Sequence, residues 1–99
     1  MADKPLLTPE VNTRAVEHLG YEIDQRALTL ISYLLPEVML NGPATVIPNT
    51  VLTDDDKFWL KRWNAEKLIK WSAPHIKFSR RFYVSVCEIL WHSYIKEDQ

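Results

Sequence analysis

Residues 53–81 read TDDDKFWLKRWNAEKLIKWSAPHIKFSRR, and the fold turns on where the helix that begins there comes to an end. Thr53 is a strong N-cap. Asp54, Asp55 and Asp56 then put three carboxylates in the first turn, where the helix dipole favours negative charge. The spacing predicts a helix from Asp54 to about Trp71, broken by Ser72, Ala73 and Pro74. His75–Phe78 reads as a short linker, and Ser79 as the cap of a last helix over about residues 80–96.

The two helices carry different patterns. At about 100° per residue, Phe82, Tyr83, Val86, Cys87, Leu90, Trp91 and Tyr94 cover a broad apolar arc of the last helix. Arg81, Ser85, Glu88, His92 and Lys96 line up as a polar stripe, so this helix reads as a central packing element. The helix after Thr53 has two apolar arcs. One holds Phe58, Ala65, Leu68 and Ile69; the other holds Trp59, Leu60, Trp63 and Trp71, with Lys67 and Lys70 among them. One arc suffices for docking on a core. The other is either a second packing layer, with lysine stems lying along the indoles, or a contact surface, since Trp and Arg are enriched at binding hot spots.

Working outward, Thr8, Pro9 and Glu10 read as a helix start, and Val11, Ala15 and Leu19 make a narrow apolar stripe that Gly20 ends. This predicts a first helix over 9–19. Asp24 caps a second, with Ala27, Leu28, Ile31, Leu34, Leu35 and Val38 on one face. Pro36 either kinks this helix or ends it at Leu35, and Asn41, Gly42 and Pro43 close it in both cases. The β-branched stretch 44–52 reads as an extended loop or, alternatively, a short hairpin of Thr45–Ile47 with Thr50–Leu52. The expected architecture is all-α: a single domain over 1–99 of four compact helices, with a Pro-containing connector at 41–52, a flexible N-terminus at 1–7, and most of the core supplied by the second and fourth helices.

Composition narrows the function. The chain has 99 residues, 46% hydrophobic, with two Gly and a single Cys. That supports one packed core, excludes an internal disulfide and offers few places for close backbone approach to a cofactor. Residues 1–5 lack the charged and apolar regions of a signal peptide, and no apolar run reaches membrane-spanning length, so a cytoplasmic protein without a membrane partner is expected. No phosphate-binding loop or paired catalytic carboxylates are visible. His18, His75, His92 and Cys87 follow no zinc spacing, and three consecutive aspartates cannot converge on one ion, so no metal or cofactor is expected. Glu88 and His92 read as a surface ion pair four residues apart.

Charge is the remaining signal. The net charge is −1, yet Lys57, Lys61, Arg62, Lys67, Lys70, Lys77, Arg80 and Arg81 fall within residues 57–81 against one acid, Glu66. The functional expectation is a non-enzymatic interaction module or small regulator that binds a larger partner, another protein with an acidic surface. Its contact residues would be Trp59, Arg62, Trp63, Lys67, Lys70, Arg80 and Arg81, with the two indoles as anchors and the cations setting orientation. The alternatives are a nucleic-acid-binding protein using the same residues for phosphates and stacking, and a self-associating subunit.

Overall fold

The computed structural model describes residues 7–95. Four α-helices and one β-hairpin follow in the order α1 (Pro9–Leu19), α2 (Gln25–Asn41), α3 (Asp54–Ala65), β1 (Ile69–Ser72), β2 (His75–Phe78) and α4 (Arg80–Ile95). Expectations for residues 1–6, for Lys96 and for the side chains of His92 and Tyr94 lie outside the described residues.

The first two helices form where their caps require. The Thr8 hydroxyl accepts from the Val11 N–H, and Gly20 closes α1 at φ 95°, a left-handed conformation that costs a residue without Cβ little. The Asp24 carboxylate accepts from the Ala27 N–H, and α2 runs through Pro36 to Asn41 as one helix. The alternative in which the helix ends at Leu35 is therefore ruled out.

The four expected helices form and the fold is mostly α; the departure from an all-α architecture lies between residues 65 and 78. Helix α3 stops at Ala65, not near Trp71. Lys67 takes φ 65°, the Leu68 N–H donates to the Trp63 carbonyl at 2.9 Å, and the Lys67 N–H donates to the Asn64 carbonyl at 3.1 Å. This is a Schellman ending with lysine where glycine is usual. The chain then pairs antiparallel with itself: Ile69 faces Phe78, Lys70 faces Lys77, Trp71 faces Ile76 and Ser72 faces His75. The connecting turn contains a cis Ala73–Pro74 bond. The supposed linker at 75–78 is thus a strand, with Ile76 and Phe78 buried and His75 and Lys77 exposed.

The connector at 41–52 does not form the hairpin on its own. It makes two single-turn 3-10 helices, Gly42–Ala44 and Asn49–Val51. Between them Val46 bridges His75: the Ile47 N–H donates to the Pro74 carbonyl at 2.7 Å and the Ile76 N–H to the Thr45 carbonyl at 3.2 Å. The β-branched residues do pair, but through a single bridge to the first residue of β2.

All four α-helices and both strands reach one core. Helix α2 gives Ala27, Leu28, Leu30, Ile31, Leu34 and Val38, and α4 gives Phe82, Val86, Ile89 and Leu90. Val11, Ala15 and Leu19 of α1, Trp59, Leu60 and Trp63 of α3, and Ile69, Ile76 and Phe78 of the hairpin complete it, so the core is more widely shared than α2 and α4 alone. Helix α4 is rotated from its expected setting. Ser85 and Ser93 are buried, their hydroxyls donating to the Arg81 and Leu90 carbonyls at 2.8 Å each, whereas Trp91 is 61% exposed. Small hydroxyls that bond their own helix are cheap to bury, so the inward face runs through Phe82, Ser85, Val86, Ile89, Leu90 and Ser93. No helix among the described residues is long and apolar enough to cross a membrane.

Candidate interaction surface

The seven residues singled out from the sequence separate into three groups. Trp63 is fully buried and Trp59 is 6% exposed. Their rings belong to an aromatic chain through the core, with centroids 5.5 Å apart for Trp59–Trp63, 5.0 Å for Trp63–Phe82 and 4.9 Å for Phe82–Phe78. The indoles are packing, and the anchor role given to them is withdrawn. The reason is the early end of α3: with Lys67 turned left-handed, Leu68 and Ile69 fold back, and α3 presents its tryptophan arc inward.

Arg62 and Arg81 are engaged within the molecule. The Arg62 guanidinium lies 3.7 Å from the Tyr21 ring centroid, and its Nε is 3.3 Å from Glu66 Oε2. The Tyr21 hydroxyl donates to Glu66 Oε1 at 2.6 Å. Burial, then the hydrogen bond to Glu66 and its charge, push the Tyr21 phenol well above its ordinary range; Arg62 and the nearby Trp63 indole N–H oppose them more weakly. The Trp63 N–H itself reaches no partner at hydrogen-bond geometry. Arg81 donates to the His18 carbonyl at 3.4 Å, linking α4 to the end of α1.

Lys67, Lys70 and Arg80 remain exposed, and the fold adds Lys77 to them. Lys77 was within the basic stretch but was not singled out, because only strand register sets it directly opposite Lys70. Among the described residues the ion pairs are Arg14–Glu17 and Arg62–Glu66, so none of these four cations has an acid. Two arrangements among them are unfavourable on their own. Like charges directly across a strand pair repel, and Arg80 begins α4 beside Arg81 with no acid in the first turn, at the positive end of the dipole.

The same residues surround two cavities. One, of about 290 Å³, is lined by Val38, Gly42, Pro43, Lys77, Phe78, Ser79, Arg80 and Tyr83. The other, of about 110 Å³, is lined by Lys67, Ile69, Lys70, Lys77, Phe78 and Ser79. Lys77, Phe78 and Ser79 form their common wall. Neither lining contains an acid.

Other candidates carry no chemistry of this kind. Asp56 and Thr53 form a reciprocal capping box at the start of α3, with bonds of 3.0 and 3.1 Å. Cys87 is half-buried, and burial raises its thiol, which works against a nucleophilic role. Among the described residues no group of three His, Cys, Asp or Glu side chains converges on a point. Comparison with family models, curated proteins and solved structures finds no match for this chain.

Proposed function

We propose that this chain is a non-enzymatic interaction module that docks on an acidic surface of a larger protein through Lys67, Lys70, Lys77 and Arg80. The observation that carries the reading is that these four side chains, gathered on and beside the hairpin and at the first residue of α4, have no ion-pair partner among the described residues. A lysine on an exposed strand edge has an ordinary purpose, since it discourages edge-to-edge pairing. That accounts for Lys70 on β1. It does not account for a second lysine, Lys77, set directly across the strand pair from Lys70, nor for Arg80 at a helix start. An acidic partner relieves both repulsive arrangements at once, and such a patch also speeds encounter with it.

A protein partner fits better than a nucleic acid. The two indoles expected to stack on unpaired bases, Trp59 and Trp63, are in the core, which removes that contact from the nucleic-acid reading. The test is affinity capture with the wild-type chain and a variant carrying Lys67→Glu, Lys70→Glu, Lys77→Glu and Arg80→Glu, with circular dichroism as the folding control. The wild type is expected to retain a specific acidic protein that the folded variant loses. Equal retention by both overturns the reading. A mobility shift of DNA or RNA by the wild type, weakening steeply with salt and absent in the variant, replaces it with the nucleic-acid alternative.

A further inference from the structure

The cation face has an apolar floor, and the floor constrains what docks there. In the larger cavity Val38, Pro43, Phe78 and Tyr83 supply carbon surface, while Lys77 and Arg80 are its only charged members. The smaller cavity continues it past Phe78 to Ile69, flanked by Lys67, Lys70 and Lys77. The last turn of α2, which contributes Val38, also leaves Met39 62% and Leu40 82% exposed. A site for a free anion would be lined by convergent donors. A site for a purely acidic surface would need no trough.

We infer that the trough takes an extended acidic segment of a partner protein that carries a bulky apolar side chain. That side chain enters the cavity over Val38, Pro43, Phe78 and Tyr83, and the flanking carboxylates meet Lys67, Lys70, Lys77 and Arg80. Charge complementarity selects the flanks: four cations without an acid among the described residues favour carboxylates on both sides of the anchor and disfavour a basic segment. The cavity has room for the anchor: about 290 Å³ accommodates a bulky side chain such as phenylalanine or leucine. Recognition of this kind, with pockets giving specificity and rim charges giving register, is a general mode of peptide docking.

This rests on the cation face being the contact surface, and the experiment separates the two. The probe is the synthetic peptide DEEDFDEED, compared with the same peptide bearing Ser for Phe, by fluorescence anisotropy and by amide shifts of the isotopically labelled full chain. The Phe peptide is expected to bind at least about tenfold more tightly than the Ser peptide. Its shifts should centre on Val38, Gly42, Lys77, Ser79 and Tyr83. Pro43→Trp, which fills the cavity from an exposed position, should abolish the difference between the peptides without unfolding the chain. If the two peptides bind equally and the fourfold charge reversal abolishes both, the trough is wrong and the cation face stands. If binding survives charge reversal, both fall. Failure of the Phe peptide to bind at about 50 mM salt overturns the trough, and leaves the cation face to the capture experiment.

Discussion

At the scale of single residues, the most consequential side chains are ones whose chemical type suggests one role and whose surroundings assign another. Arg62 has the composition of a hot spot, yet its guanidinium is sandwiched between the Tyr21 ring and Glu66. Cation–π contact with Tyr21 and the charged hydrogen bond tie the α1–α2 connector to the end of α3. This cluster has a pH signature. The folded state holds the Tyr21 phenol in its neutral form, so its pKa is raised over that of the unfolded chain. A raised pKa contributes stability that is present below the unfolded value, about 10, and that is lost as pH rises through the folded one. Unfolding midpoints in urea are therefore expected to fall from pH 9 to pH 11 more steeply for the wild type than for Tyr21→Phe. Tyr21→Phe should itself be less stable at pH 7 by about 1 kcal/mol, the usual worth of one hydrogen bond. Parallel pH profiles for the two would show that the phenol is free of its surroundings.

At the scale of elements, the ends of the helices decide what the sequence makes legible. Thr8, Gly20, Asp24, Thr53 and Ser79 act through capping chemistry that is written in residue type, and α1, α2 and the starts of α3 and α4 were readable from it. The end of α3 was not. Its left-handed residue is Lys67, and nothing in a lysine announces φ 65°. The helical periodicity of Leu68, Ile69 and Trp71 therefore continued on paper past Ala65. Two strands of four residues are too short for alternation to outvote it, and the Thr45–Ile47 segment finds its partner thirty residues away rather than across its own turn. The same misreading hid Lys77, because a linker has no register. The hairpin now supplies a test in which stability and binding move in opposite directions. Lys70→Glu converts a like-charge cross-strand pair into an attractive one, worth about 0.2–1 kcal/mol. Arg80→Glu places an acid in the first turn of α4, worth about 0.3–1 kcal/mol. The double variant is expected to unfold at a higher temperature than the wild type while losing the captured partner. If it is less stable, these cations are held by favourable contacts and their charge is not in reserve for a partner.

At the scale of the whole molecule, a net charge of −1 conceals an uneven field. The described acids of the first half, Glu10, Glu17, Glu22, Asp24 and Glu37, lie on α1, α2 and their connector, whereas Lys67, Lys70, Lys77 and Arg80 lie on and beside the hairpin and at the start of α4. Such a molecule orients in the field of an acidic partner before contact, and orientation acts on the association rate. The apolar floor acts later, once water has left, and so on the dissociation rate. The two contributions separate with salt. Raising ionic strength from about 0.05 to 0.5 M shortens the Debye length to a few ångströms. Stopped-flow binding of the DEEDFDEED probe is then expected to show an association rate lower by about tenfold or more, with dissociation changed by less than about threefold. Replacing Phe by Ser in the probe should do the reverse, accelerating dissociation and leaving association nearly unchanged. A dissociation rate that rises with salt as steeply as association falls would mean that charge alone holds the complex, with the carbon surface of Val38, Pro43, Phe78 and Tyr83 contributing nothing to its lifetime.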